Sequence, residues 1–358
     1  MYEGQTVAVV IPAYNEEQHI ASVIHTLPDF VDRIYAIDDA STDQTWEALR
    51  TAAKTLNEQD PTEERSLQRV IPIRHRENKG AGGAVITGYE HALADAIDIV
   101  AVMDGDGQMD PADLERIIAP VARGDASYAK GDRLSYAAHR APMSRWRSFG
   151  NGLLTSLTRI ASGYWSLSDP QNGYTAISNE ALSQLPLENL YRQYGFLNHV
   201  LVHLNLHRER IADVPHSARY GDEHSGIKYR SFVPGLSFLL LTSYISRLYH
   251  QHIRQQLNPI VSYYPLGILS LVIGMVSIIA GLGTATDMLL GGLFILFGIH
   301  LVLLAVTDDI RANDDLVVTY PPIPPRSPGF PMVREPEPVR SIHGDLAGDG
   351  GEVVVDHE

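Results

Sequence analysis

Short runs of apolar residues alternate with amphipathic stretches along the first 130 residues of the chain. The apolar runs are strand-like and cover residues 7–11, 33–37, 70–73 and 99–103. Between them, amphipathic stretches of helical character cover residues near 16–27, 42–56 and 84–94. Strands and helices in alternation indicate an α/β domain whose central sheet is mostly parallel. We expect this domain, with a less regular second half, to fill residues 1–230.

Two long apolar segments follow the predicted domain. Residues 263–282 and 288–306 contain no Asp, Glu, Lys or Arg, and each is long enough to cross the roughly 30 Å hydrocarbon core of a bilayer. Arg247 and Arg254 precede the first segment and Arg311 follows the second, so the positive-inside tendency places both ends in the cytoplasm. The sequence thus predicts a multi-pass cell-membrane protein with a cytoplasmic catalytic domain and tail. A buried hairpin of a soluble protein is the alternative.

The segments on either side of this hairpin differ from it in composition. Residues 231–256 are aromatic and basic, which is typical of an amphipathic helix on the membrane surface; a helix packed on the domain is the alternative. Residues 308–358 hold 11 acidic residues against 4 arginines, and 8 prolines lie between Pro321 and Pro338. We predict that this acidic, proline-rich tail is disordered.

Composition excludes several classes of function. The net charge of −15 argues against nucleic acid as a partner. The chain has no cysteine, which excludes disulfides, zinc–thiolate sites and thiol nucleophiles.

An acidic turn follows the fourth apolar run. Asp104 and Asp106 lie two residues apart in this turn, and Gln108 follows two residues later. Carboxylates at this spacing can converge on one cation, and Mg²⁺ or Mn²⁺ prefers a few carboxylates together with substrate phosphate oxygens. A solvated turn is the alternative, since Asp and Gly are common turn residues.

Polar motifs also end the other three runs. In chain order they are Pro12-Ala13-Tyr14-Asn15-Glu16, Asp38-Asp39-Ala40-Ser41-Thr42-Asp43 and Asn78-Lys79-Gly80-Ala81-Gly82-Gly83. Ligands of open α/β sheets bind beyond the carboxyl ends of the strands, where all four motifs lie. Together they resemble the family 2 glycosyltransferases with a GT-A fold, most closely their polyprenyl-phosphate branch, such as dolichol-phosphate mannose or glucose synthases. The resemblance covers about residues 5–230 and the membrane hairpin.

The resemblance implies a role for each motif. The nucleotide of a nucleotide sugar would contact Pro12, Tyr14, Glu16, Asp39, Lys79, Asp104 and Gly105, with Glu16 on the ribose and Asp39 at the edge of the base. Mg²⁺ or Mn²⁺ would bind Asp104, Asp106 and Gln108. Plainer alternatives are a helix cap at Ser41-Thr42 and a solvated Lys79.

On the acceptor side, the resemblance implies contacts with the sugar or with the lipid phosphate. Arg133 would bind the acceptor phosphate, and its guanidinium fork suits paired phosphate oxygens. Asp169 and Gln171 would contact sugar hydroxyls, while Arg219 and Lys228 would belong to a loop that closes on both phosphates. An Asp-Pro turn at Asp169 and plain surface cations at Arg219 and Lys228 are the alternatives. Asp104, Asp106 and Arg133 are the expected catalytic residues.

One departure from related enzymes bears on the acceptor. Enzymes that attack with a sugar hydroxyl need a carboxylate base, yet no acid lies between Tyr194 and Arg208, where they usually place it. A lipid phosphate is already anionic and needs no base. His199 could serve as a base, although a lone helical histidine is more often structural.

The expected function is therefore inverting transfer of one hexose from UDP-glucose or GDP-mannose to dolichyl or other polyprenyl phosphate at the cytoplasmic face. The alternatives are transfer to a hydroxyl of a lipid-linked glycan, and a membrane scaffold that binds nucleotide sugars without turnover.

Overall fold

A mixed sheet of eight strands forms the centre of the α/β domain. The computed structural model describes residues 1–59, 68–134, 145–193, 195–216, 229–251, 260–280 and 284–321. The strands are β1 (Val7–Ala13), β2 (Arg33–Asp38), β3 (Val70–Arg74), β4 (Ile99–Val102), β5 (Tyr128–Asp132), β6 (Thr175–Ser178), β7 (Ile211–Pro215) and β8 (Val317–Thr319). The α/β prediction is confirmed, and the four predicted runs are β1 to β4.

Ten α-helices connect or follow these strands within the described residues. They are α1 (Ile20–His25), α2 (Thr45–Gln59), α3 (Ala81–Ala94), α4 (Leu114–Ala122), α5 (Arg145–Ser162), α6 (Asn179–Ser183), α7 (Phe196–Leu206), α8 (Tyr229–Leu248), α9 (Ile260–Ala280) and α10 (Ala285–Asn313). Short 3₁₀ helices span Pro111–Asp113, Leu187–Asn189 and Asp314–Leu316.

Strand order in the sheet is β3-β2-β1-β4-β6-β5-β7-β8. Only β6 runs antiparallel to its neighbours β4 and β5, and the other pairs are parallel. The carboxyl ends of β3, β2, β1 and β4 therefore meet at one edge, because these adjacent strands point the same way. This edge carries all four polar motifs.

Both faces of the sheet are covered, which explains why the strands read as continuous apolar runs. Side chains of β1 alternate between two cores: Val9 faces α1, α2 and α4, whereas Val10 faces α3, α6 and α7. Helices on both faces leave the strand ends as the place where polar side chains can gather.

Close packing of α3 on β1 depends on a glycine. A Cβ atom added at Gly88 would lie 2.3 Å from Cγ1 of Val10. We expect Gly88→Ala to lower the free energy of unfolding by about 1–3 kcal/mol, because overpacking outweighs the gain in helix propensity. Thermal unfolding checks this against Gly152→Ala in α5, where the added methyl group meets no atom within 4 Å and should not destabilise the protein.

Helix α8 packs on the domain with one face and leaves another exposed. Leu236, Leu240 and Arg247 are buried, on the face that meets α5 and α7. Phe238 and Leu241 on the other face are 69% and 56% exposed. The helix therefore packs on the domain, as in the alternative interpretation, and also has an exposed apolar face. Residues 252–256 of the predicted surface helix lie outside the described residues.

The last two helices match the two predicted apolar segments. Residues 262–280 and 285–316 are long and apolar enough to cross a membrane. Gly267 lies against Gly298 and Gly274 lies against Gly291, so the helices run in opposite directions with their backbones close together. Within the described residues they form the predicted hairpin, with many large apolar side chains exposed along it.

The first residues of the predicted tail form regular structure. Residues 308–313 continue α10, and after the 3₁₀ turn β8 pairs in parallel with β7, with Val318 opposite Ala212. The prediction of disorder from residue 308 is wrong for this part, because Leu316 is buried and Asp309 has buried partners despite the acidic composition. Residues 322–358 lie outside the described residues.

Candidate active site

Hydrogen bonds join the ends of β1, β2 and β4 into one surface. The backbone N–H of Asp39 donates to the carbonyl of Ala13 at 2.9 Å, and that of Gly105 donates to the carbonyl of Pro12 at 3.1 Å. Tyr14, which follows β1, is 47% exposed at this edge. The structure therefore brings together the predicted nucleotide residues from three separate strands.

The loop after β1 is fastened to the loop after β2. Asn15 has a positive φ of 59°, a backbone shape that asparagine tolerates better than most residues. Its side-chain oxygen accepts from the backbone N–H of Thr42 at 2.9 Å, and the N–H of Glu16 donates to the hydroxyl of Thr45 at 2.7 Å. Glu16 itself is half-buried beside this junction. The Ser41-Thr42 region, which precedes α2, therefore also holds the loop after β1 in place.

Asp39 holds the glycine-rich loop that begins α3. Its carboxylate is buried and accepts from the backbone N–H groups of Lys79 and Gly80 at 2.9 and 2.8 Å, and it contacts Nδ1 of His75 at 2.6 Å. His75 in turn meets the hydroxyl of Thr87 at 2.9 Å. Sequence reasoning missed His75, although it is a polar residue directly after β3. The contact of Asp39 with a nucleotide base stays a prediction.

The acidic turn after β4 places two carboxylates near each other. Asp106 accepts from the backbone N–H of Gln108 at 2.9 Å, and Gly107 turns the chain with a φ of 77°. Burial, together with the charge of Asp106, raises the pKa of Asp104 to about 7. Mutual repulsion of this kind is relieved by a divalent cation.

The donor set of this turn fits Mg²⁺ or Mn²⁺. Asp104, Asp106 and Gln108 are oxygen-bearing side chains at the edge where phosphates would lie. No group of three or more His, Asp or Glu side chains that could hold a metal occurs in the described part of the chain. A site with two carboxylates accords with Mg²⁺, which usually takes one or two carboxylates plus substrate oxygens.

A second turn approaches the acidic turn from the β6 side. A Cβ atom on Gly173 would lie 3.0 Å from Oδ2 of Asp104, which shows how near the two turns are. The Nε atom of Arg133 lies 2.8 Å from Oδ2 of Asp169, and its Nη2 lies 3.3 Å from Oδ1. The predicted acceptor arginine and the predicted sugar carboxylate therefore form an ion pair, with Asp169 buried and Arg133 partly exposed.

Beneath this pair lies a buried lysine that sequence reasoning missed. Lys130 in β5 donates to the carbonyl of Asn172, and burial lowers the pKa of Lys130 to about 7. Asn172 also donates to the carbonyl of Gly131 at 2.7 Å and contacts Nε2 of His216 at 2.6 Å. A lysine inside a buried strand was the available signal. These contacts fix the turn at 169–173 against β5.

The structure gives less support for the predicted roles of the remaining site residues. The side-chain amide of Gln171 donates to Thr158 and Asn198, each at 3.0 Å, so its nitrogen faces α5 and α7. Its contact with sugar hydroxyls stays a prediction. Lys79 is half-buried at the start of the glycine-rich loop. Arg219 and Lys228 lie outside the described residues.

The sequence of this part of the chain is similar to those of other proteins. The sequence model for glycosyl transferase family 2 matches residues 8–185. A UDP-N-acetylglucosamine–dolichyl-phosphate N-acetylglucosaminyltransferase from Methanococcus voltae is 31% identical over 209 residues, which are 58% of this chain and 83% of that protein. An undecaprenyl-phosphate mannosyltransferase from Micrococcus luteus is 28% identical, over 58% of this chain and 82% of that protein.

The chain is also similar to a solved structure. Glucosyl-3-phosphoglycerate synthase from Mycobacterium tuberculosis, in complex with Mn²⁺, UDP-glucose and phosphoglyceric acid, is 23% identical with a TM-score of 0.48. The match covers 68% of this chain and 80% of that chain and concerns the fold alone. From the family model and the Methanococcus voltae relative together, the chain belongs to glycosyltransferase family 2 and is a glycosyltransferase.

Proposed function

We propose that the protein transfers a single hexose, with inversion, from a nucleotide sugar to dolichyl or another polyprenyl phosphate. The observation that carries this proposal is the approach of the turn at residues 169–173, which holds Arg133 through Asp169, to Asp104 in the acidic turn. One side of this arrangement suits a nucleoside diphosphate and the other suits an anionic acceptor. The printed names of the relatives from Methanococcus voltae and Micrococcus luteus support a lipid-phosphate acceptor.

The donor would lie across the ends of β1, β2 and β4. Tyr14 would pack beside the base, Glu16 would bind the ribose, and Lys79 would lie near the diphosphate. Asp104, Asp106 and Gln108 would hold Mg²⁺ or Mn²⁺, which neutralises the charge that grows on the leaving diphosphate. UDP-glucose and GDP-mannose are the proposed donors.

The acceptor would be activated by its own charge. Helix α7 lies beside the site and carries no Asp or Glu, so it offers no carboxylate base to deprotonate a hydroxyl. Asp169, an acid in the neighbouring turn, is paired with Arg133. A phosphate oxygen attacks the anomeric carbon without losing a proton, and the bond to the nucleoside diphosphate breaks as the new bond forms.

The apolar surfaces support a position at a membrane. The hairpin of α9 and α10 would span the bilayer, and the exposed face of α8 would contact its surface. We propose that the catalytic domain and the C-terminal tail are cytoplasmic. Such an arrangement would hold the site at the level of lipid head groups.

Labelled donors distinguish this proposal from its rivals. Membranes containing the full chain would receive UDP-glucose, GDP-mannose or UDP-N-acetylglucosamine with dolichyl phosphate, dolichol or a lipid-linked glycan. We expect one donor to give a sugar-phosphate lipid with dolichyl phosphate and no product with dolichol. Product formed only on the glycan would favour the hydroxyl-transferring alternative, and binding without turnover on every lipid would favour the scaffold.

Arg133 offers a test of the acceptor side. We expect Arg133→Lys to raise the KM for dolichyl phosphate by about 10- to 100-fold, because a lysine lacks the fork that binds two phosphate oxygens. Steady-state kinetics with varied lipid phosphate checks this. Arg50→Lys on α2, at an arginine whose side chain is 63% exposed, is the matched control and should leave KM unchanged. An unchanged KM in Arg133→Lys would remove Arg133 from the acceptor site.

A further inference from the structure

Two half-buried histidines on α7 form a pair near the segment that packs on the glycine-rich loop. His199 and His203 are one helical turn apart, and their Nε2 atoms lie 3.2 Å from each other. The other ring nitrogen of His199, Nδ1, accepts from the backbone N–H of Tyr191 at 3.1 Å. These two contacts determine where the protons of both rings lie.

The proton positions follow from the chemistry of the donors. A backbone N–H can only donate, so Nδ1 of His199 carries no proton and the neutral ring is protonated at Nε2. That N–H donates to Nε2 of His203, whose own proton must then be on Nδ1. A proton added to His199 would meet the N–H of Tyr191, and one added to His203 would set two N–H groups against each other. The contacts therefore require both rings to be neutral.

This arrangement excludes two other roles for His199. Its Nε2 has no lone pair free for a metal, and neither nitrogen is free to take a proton from an acceptor. The histidine that sequence reasoning left open as a base is thus committed to Tyr191 and His203.

The segment after Tyr191 connects the pair to the nucleotide side of the site. The carbonyl of Arg192 accepts from the backbone N–H of Gly83 at 3.1 Å. Cβ atoms added at Gly80 or Gly82 would each lie 2.8 Å from that same carbonyl oxygen. Residues 191–193 are therefore packed directly on the loop of residues 79–83, whose other side is held by Asp39.

We propose that His199 and His203 are positioning residues that hold residues 191–193 against the glycine-rich loop while both rings are neutral. The two histidines would thereby determine the shape of that loop. The importance of the loop for catalysis rests on the proposed function. Neither histidine contacts substrate in this account. They act on the donor site through Tyr191, Arg192 and Gly83.

Electrostatics favours the neutral pair at physiological pH. Burial lowers the pKa of His199, and burial followed by the charges of His199, His207 and His250 lowers the pKa of His203 to about 4. His207 follows α7 and His250 follows α8, and among the described residues these are the groups, besides His199, whose charges act on His203. Because both pKa values lie below the ordinary 6.5, the contacts are present above about pH 6.5 and are lost as the pH falls through the lowered pKa values of the two rings.

Amide hydrogen exchange on the full chain tests the inference without any ligand. We expect His199→Leu, which removes the acceptor for Tyr191, to speed exchange at Tyr191 and Gly83 by about 5-fold, the effect of losing one hydrogen bond. His199→Asn, whose side-chain oxygen can still accept from Tyr191, should restore slow exchange and should keep it slow at pH 5.5. The exposed His207→Asn is the control and should change neither amide. Unchanged exchange at Gly83 in His199→Leu would overturn the inference.

Nucleotide affinity gives an independent second measurement. We expect His199→Leu to weaken the binding of UDP or GDP by about 5-fold, with His199→Asn near the unmodified protein. In transfer assays the change should appear in the KM for the donor rather than in kcat. If neither nucleotide binds the unmodified protein, the proposed function fails while the exchange result still decides the role of the pair. If the nucleotides bind equally to all variants, the coupling to the donor site is wrong.

Discussion

Asp106→Asn is expected to lower sugar transfer by at least about 100-fold, because it removes one of two carboxylates proposed to hold the divalent cation. Asparagine keeps the side-chain oxygen that accepts from the N–H of Gln108, so the turn itself should survive. The loss should therefore reflect metal binding rather than misfolding. Transfer in membranes checks this result, measured with the donor and lipid that the labelled-donor assay selects.

Metal depletion and a matched carboxylate complete this test. A chelator should abolish transfer by the unmodified protein, and added Mn²⁺ or Mg²⁺ should restore it, whereas Asp106→Asn should stay inactive at the same metal concentration. Asp29→Asn, at an exposed acid before β2, should transfer normally. Undiminished transfer by Asp106→Asn would refute the metal assignment of the acidic turn.

Asp309→Ala is expected to destabilise the protein by about 3–5 kcal/mol, because it leaves the guanidinium of Arg247 buried without its counter-charge. Two hydrogen bonds of 2.8 Å join these fully buried side chains, one from each terminal nitrogen of Arg247. Trp165 and Asn313 also donate to Asp309, at 3.2 and 3.1 Å. Thermal unfolding in detergent measures the loss.

The neighbouring residue provides the control for this prediction. Asp308 pairs with Arg311 at 3.9 Å on the surface, and Asp308→Ala should cost less than about 1 kcal/mol. Replacing both buried partners, Arg247→Met with Asp309→Leu, should recover much of the stability lost by Asp309→Ala, since no unpaired charge then remains. Equal stability of Asp308→Ala and Asp309→Ala would contradict the buried pair.

The sheet and its edge were predictable because their signals are local. Four apolar runs are followed by polar motifs, and parallel strands bring such motifs to one edge. The structure confirms the strands and joins Pro12, Asp39 and Gly105 at that edge. Local sequence was sufficient here because strand burial and turn chemistry act over a few residues.

Contacts between distant segments were not predictable in the same way. Arg247 read as a basic residue at a membrane surface, yet its partner Asp309 lies 62 positions later, in a stretch whose composition indicates disorder. The link from His199 to Gly83 likewise depends on a backbone carbonyl, which leaves no trace in residue type. Pairings of this kind follow from tertiary packing, and composition or periodicity carries no record of them.

Strand β8 is an edge strand of the sheet, although it follows the hairpin in the chain. The ribosome makes residues 317–319 only after both hairpin helices, yet these residues cover the open edge of β7. A domain cut free of its hairpin would expose that edge, where unpaired N–H and C=O groups attract other strands. The edge of β7 can therefore be covered by β8 only after both hairpin helices have been synthesised.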